Sequence, residues 1–305
     1  MHQYLNAIGF GSMKSKKELY EILDKVEQQY TCHELVYQDE ELDFCEYQKE
    51  FGPGMGICLC GDMDSVDNFT KRYYYPYFLG TGITSYADIT IERRMDREAY
   101  VGICEDAKIG ITIIFYLQNV MDYLDYICDE KGLNQKDYDI DSRSYVYKIP
   151  IKNKMVSLTA LSLGGIIMLP TRNNKSDSVR MKKEKDDRQR LIQAAKKGDE
   201  SAIESLTIED IDTYNELSHR IVKEDVFSIV DSSFMPCGVE CDQYQVVGEI
   251  LELSEEINHY TKEKIYIMVI ECNDLNMTVA INQAHLLGEP AVGRRFKGQI
   301  WLQGS

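Results

Sequence analysis

Ile265-Tyr-Ile-Met-Val-Ile-Glu-Cys272, Asn273-Asp-Leu-Asn276 and Met277-Thr-Val-Ala-Ile-Asn282 follow one another without a break, and their reading decides the fold. The outer two runs are short, rich in β-branched and aliphatic residues, and free of Gly and Pro, which argues strand over helix. The polar residues between them tolerate left-handed backbone and bond their own main chain, as a tight hairpin turn requires. Working outward, Val246–Leu253 and Arg294–Leu302 read as further strands, and Gly293 and Gly298 around Phe296 permit the bending that a barrel needs. From Val226 onward lie about 80 residues with around five short strands and no long helix, so a small β-barrel or sandwich is expected, an OB-like barrel among the candidates.

Upstream of these strands the composition changes. Residues 171–198 carry ten Lys/Arg against four acids, a net of +6 that leaves −23 for the rest of a chain whose total is −17. Leu191, Ile192, Ala194 and Ala195 form an apolar stripe near the end of this basic helix. Gly198 stops it, and Asp199 can cap a short helix through Leu206. Thr207-Ile-Glu-Asp210 has the form of another helix start, with Ile208, Ile211, Tyr214, Leu217 and Ile221 at helical spacing. The segment reads as a charged helical connector over 171–225.

Residues 1–170 mix strands with two principal helices. Ser15-Lys-Lys-Glu18 is a capping box, and Leu19, Ile22, Leu23, Val26 and Tyr30 repeat at helical spacing behind it. Strands follow at Cys32–Gln38, Leu42–Phe51 and Met55–Gly61, the latter two joined by Gly52-Pro53-Gly54, an antiparallel meander. Asp64 or Ser65 is expected to cap a short helix. Tyr73-Tyr-Tyr-Pro-Tyr-Phe78 is expected to break the pattern, because Pro76 pushes its predecessor out of helical conformation. Ala87, Ile89 and Ile91 alternate with polar residues, and Ile109–Leu117 forms another strand, with a hairpin over Ala99–Lys108 between them. Asn119 and Gly132 bound the second helix, while Tyr145–Ile151 and Met155–Leu163 are strands, with Gly164-Gly165 turning the chain into Ile166–Leu169. The expected fold is therefore α+β: a largely antiparallel N-terminal sheet with two principal helices (1–170), the connector, and a small C-terminal barrel (226–305).

Composition excludes several classes. An apolar fraction of 44% with 28% charged residues is globular and not disordered. The acidic excess, 51 Asp+Glu against 34 Lys+Arg, repels phosphate backbones and anionic bilayers. The longest apolar runs fall far short of the ~20 residues that span a bilayer. Met1–Phe10 lacks the features of a secretory signal, and nine scattered cysteines fit reduced thiols, so a cytoplasmic protein is expected. Gly304-Ser305 is the kind of dipeptide that cloning appends, consistent with a natural chain continuing past Gly304.

Motifs that carry chemistry are incomplete. Cys58-Leu-Cys60 places two sulfurs on one strand face, and Cys237 and Cys241 are similarly close in sequence. Neither has a second Cys/His pair nearby, so buried thiols are favoured and no metal or cofactor is expected. His2, His33, His219, His259 and His285 show no diagnostic spacing, and no nucleophile elbow or phosphate loop occurs. Asp62 with Asp64 and Glu240 with Asp242 are pairs that so acidic a composition produces unaided. The strongest binding candidates are Tyr73, Tyr74, Tyr75 and Tyr77, which offer rigid contact area, with Arg93, Arg94, Arg294 and Arg295 as anion ligands. Packing against the sheet, and ion pairing in so acidic a chain, are the competing readings and the favoured ones.

Five strings resemble a family of clostridial and related gut-bacterial proteins of unknown function: FGPGMGICLCGDMD (51–64), GITIIFYLQN (110–119), AAKKGDESAIESLTIEDID (194–212), CGVECDQYQVVGEI (237–250) and GEPAVGRRFKGQIWLQG (288–304). The likeness spans most of the chain. It implies a bacterial cytosolic origin and transfers no site residue. The functional expectation is a non-enzymatic binding or assembly protein with a protein or small-molecule partner of unknown identity. An enzyme acting on a small anionic substrate is the second reading. Nucleic-acid association through the basic helix, disfavoured by its interspersed acids and lack of aromatics, is the third.

Overall fold

The computed structural model describes residues 1–37, 42–80, 84–94, 99–106, 111–123, 148–170, 190–191, 194–195, 198–208, 232–237 and 242–305. Two compact units are present, one formed by Met1–Met168 with Phe234–Ser305, the other by Leu169–Ser233.

The first unit opens with a 3-10 helix, Gln3–Ile8, whose Tyr4, Leu5, Ala7 and Ile8 are buried. Helix α1 (Lys16–Gln28) begins where expected, with Ser15 Oγ accepting from Glu18 N at 3.2 Å. The expected meander follows as β1 (Cys32–Tyr37), β2 (Leu42–Gly52) and β3 (Met55–Asp64), turned at Gly54 with φ of 63°.

Two local expectations are corrected next. No helix follows Asp64; its carboxylate instead accepts from Val66 N and Asn68 N and closes a turn. The tyrosine run is not a break but a strand, β4 (Phe69–Phe78), paired antiparallel with β3 through Pro76. Proline is tolerated because β4 is the outer strand of this four-stranded sheet, where no second neighbour needs its N–H.

The second sheet contains β5 (Ser85–Arg94), β6 (Ala99–Asp106), β7 (Ile111–Leu117), β8 (Lys148–Val156), β9 (Leu158–Met168), β10 (Ser233–Pro236), β11 (Gln243–Ile257), β12 (Lys264–Cys272), β13 (Leu275–Asn282), the two-residue β14 (Leu286–Leu287) and β15 (Arg295–Gly304). Strands β5 to β8 form an antiparallel group joined to β15 by a short parallel contact through β7. Within the same sheet β11, β12, β13, β9 and β15 close on themselves as a five-stranded barrel. The hairpin between β12 and β13 turns at Asn273 and Asp274, both at positive φ.

One barrel strand, β9, comes from before the charged segment. Between β13 and β15 the chain offers only a 3-10 helix (Gln283–His285), β14 and a loop with Gly288 and Gly293 at positive φ, so β9 fills the place. It continues through Gly164-Gly165, with a bulge at Leu163, so these glycines are not the expected turn. The glycines mark close approach instead: a Cβ on Gly165 would lie 2.3 Å from the Phe296 ring, and one on Gly298 2.5 Å from it. Phe115 is held the same way, 2.3 Å from the Cβ position of Gly102 and 2.5 Å from that of Gly304.

The fold is thus α+β and mostly β. The second helix of the N-terminal region is described only at its start, residues 120–123; the rest of it, most of the basic helix and residues 209–231 lie outside the described residues. In the second unit Asp199 caps helix 200–208, accepting from Ser201 N and Ala202 N behind Gly198 at φ 88°. Thr207 sits inside this helix, its hydroxyl donating to Ile203 O, and does not start another. No helix among the described residues is long and apolar enough to cross a membrane.

Gly102→Ala drives a methyl group into the Phe115 ring and is expected to cost about 1–3 kcal/mol. Shortening the ring as Phe115→Leu in the Gly102→Ala background should recover part of that loss, giving a coupling energy readable in a urea double-mutant cycle.

Candidate functional site

Strand alternation separates the four candidate tyrosines. In register, Tyr73 and Tyr75 face Cys60 and Cys58 of β3, and Tyr77 faces Gly56. Tyr74 lies on the other side, where its hydroxyl accepts from His2 N at 2.9 Å. Tyr75 and Tyr77 are buried. Tyr75 stands 4.7 Å from the ring of Tyr116 and donates to Gln118 O at 3.3 Å. Tyr77 lies over Gly56, its hydroxyl 2.6 Å and its ring Cζ 2.8 Å from where a Cβ would be. These side chains serve burial between elements, as their alternation with β3 requires. Arg294 donates to Glu289 O, and Arg295 is buried at the start of β15. Arg93 and Arg94 end β5; their side chains lie outside the described residues.

The tyrosines enclose a buried carboxylate and two thiols. Glu46 is 1% exposed, and Cys58 and Cys60 are fully buried. Cys60 Sγ lies 3.5 Å from Glu46 Oε1 and 3.7 Å from Cys58 Sγ. Glu46 Oε2 has no hydrogen-bond partner among the described residues. Burial pushes the Glu46 carboxyl up to about 7, and burial also raises both thiols. On the opposite face of the sheet, His33 Nε2 approaches Cys45 Sγ at 3.1 Å, and burial raises that thiol to about 11. All seven described cysteines are free.

The Cys-x-Cys spacing was readable in sequence, but Glu46 was not. Pairing counted from the Gly52–Met55 turn would set Gly61 opposite Glu46; a bulge between Glu50 and Gly52 shifts the register so that Cys60 takes that place.

A second feature is open to solvent. The outer face of β11–β13 forms the floor of a groove of about 280 Å³, walled by the Pro53-Gly54 turn and by Phe78–Gly80. Ile267, Val269 and Thr278 give an aliphatic floor, and Glu252 and Glu256 stand along it. Neither carboxylate has an ion-pair partner among the described residues, whereas neighbouring Glu255 is paired with Lys264. The lining contains no Lys, Arg, His or Cys among the described residues.

Residues 5–304 match the model of a family described as a domain of unknown function, E. rectale gene description (DUF3881). No curated protein and no solved structure matches the chain.

The Glu46 shift has a consequence for stability. With its carboxyl at about 7 in the fold and near 4.5 when unfolded, the native state holds the proton more tightly. Ionisation therefore costs the fold and not the unfolded chain, and stability is lost as pH rises from about 4.5 to 7 and stays lost above it. Measured by urea denaturation with reductant and chelator present, wild type should fall relative to Glu46→Gln across that window by on the order of 3 kcal/mol. A constant difference between the two would contradict the assignment.

Proposed function

We propose, for a chain that belongs to this family of domains of unknown function and takes no activity from it, a role as a bacterial cytosolic binding or assembly protein that engages an extended, basic and aliphatic protein segment along the outer face of its barrel. The groove over β11–β13 carries this reading: two carboxylates without ion-pair partners among the described residues stand beside an aliphatic floor. Exposed carboxylates in such a place favour a cationic ligand and raise its encounter rate, while Ile267 and Val269 offer apolar area to alternate side chains of an extended segment. The same charges work against a phosphate backbone, which needs cations and stacking rings. They work equally against a small anionic substrate in this groove, and Tyr74 and Tyr75, invoked for such a substrate, point to opposite faces of their sheet. The acidic surface, with a net charge of −17, and the free thiols are consistent with a reducing cytosol.

Fluorescence anisotropy with labelled peptides tests the reading. A peptide alternating Lys or Arg with Val or Leu should bind the full chain, weaken as salt is raised, and lose about tenfold in affinity with the Glu252→Gln/Glu256→Gln double variant. Equal binding of an acidic peptide, or of a single-stranded oligonucleotide, would sink the proposal, as would an unchanged affinity in the double variant.

A further inference from the structure

The buried carboxylate and thiols have the spacing of metal ligands. Zinc bonds of about 2.3 Å to sulfur and about 2.0 Å to oxygen, at tetrahedral angles, set S···S near 3.8 Å and S···O near 3.5 Å. Cys58 Sγ and Cys60 Sγ are 3.7 Å apart, and Cys60 Sγ is 3.5 Å from Glu46 Oε1. The three ligand atoms all lie within 4.8 Å of one another. We propose that Glu46, Cys58 and Cys60 hold one Zn²⁺ ion in a closed site, with both thiolates and Glu46 Oε1 at tetrahedral spacing and Oε2 as a longer fourth contact.

Three observations converge on it. Glu46 Oε2 is buried and has no hydrogen-bond partner among the described residues, and a bidentate carboxylate gives that atom its partner. No ion pair compensates Glu46 among the described residues, and a divalent cation would do so. Tyr73 and Tyr75 stand opposite Cys60 and Cys58 in register, so aromatic rings and not solvent cover the two thiols. Thiolates disfavour Mg²⁺ and Ca²⁺, and the carboxylate disfavours Cu(I), which leaves Zn²⁺ as the fitting ion. Binding displaces the protons of the two thiols and the carboxyl group and involves no redox change. With the ligands buried on β2 and β3 and all four positions filled by protein, the site is structural and pins the meander from within.

Full-length protein expressed in zinc-supplemented medium is the material to test, with Co²⁺ replacing zinc in a parallel culture. One zinc per chain and a thiolate-to-cobalt charge-transfer absorption in the near ultraviolet are expected. Both should vanish in folded Cys60→Ser and persist in Cys45→Ser, whose thiol lies on the other face. Glu46→Gln keeps both thiols, so it should retain the charge-transfer band while holding zinc at least about tenfold more weakly; it decides the matter should Cys60→Ser fail to fold. Zinc-free wild type, zinc retained in Cys60→Ser, loss of the band in Cys45→Ser, or undiminished zinc retention in Glu46→Gln would each overturn the site.

Discussion

The structure depends on a buried polar seam where the four-stranded sheet meets the barrel sheet. Strand β4 has no strand beyond it, so its main chain at Pro76–Phe78 needs partners from side chains. Gln303 supplies two: its Oε1 accepts from Phe78 N at 3.1 Å and its Nε2 donates to Pro76 O at 2.8 Å. Phe78 O accepts from Gln118 Nε2 and Thr159 Oγ1, and Gln118 also donates to Gln303. Each of these groups is buried, and a lost partner would leave a desolvated polar atom at a cost of about 1–3 kcal/mol. The seam fixes the end of β4. Through it the seam also fixes the tyrosines that enclose the thiols, and the Phe78–Gly80 wall of the acidic groove.

Around this seam, rings and glycines set how closely strands pass. Phe115 lies between the Cβ positions of Gly102 and Gly304, and Phe296 between those of Gly165 and Gly298. A ring laid over glycine covers backbone that would otherwise be bare and lets two strands bend toward each other, the device by which a sheet curls into a barrel. The N-terminal segment completes the enclosure: Asn258 Nδ2 donates to Ile8 O, and Glu263 accepts from Gly11 N and Ser12 N.

Locally coded features were legible in the sequence. The Ser15 cap, the meander turned at Pro53-Gly54 and the Asn273-Asp274 hairpin each follow from a few adjacent residues. Non-local features were not. In sequence, the effect of Pro76 on Tyr75 looks like a break, although extended backbone is what a strand also wants. Gly164-Gly165 has the composition of a turn, and only the distant Phe296 explains it. The burial of Tyr4, Leu5 and Ile8 had no periodic signal in so short a segment. Of the candidate sites, the thiol pair was visible but its carboxylate partner was hidden by a single bulged residue, and the groove exists only once three strands are curled side by side.

The origin of β9 has a consequence for how the protein is made. This strand leaves the ribosome well before the four strands it must join, and β15, which pairs with it along most of its length, follows on the order of ten seconds later at ordinary rates of synthesis. During that interval both edges of β9 and the unsatisfied end of β4 wait together, since Gln303 and the barrel arrive on the same late segment. Contacts of such long sequence separation fold slowly and leave strand edges open to wrong partners. The edges of β9 and the end of β4 therefore stay open until β15 has emerged, which makes the timing of that strand the constraint on correct pairing.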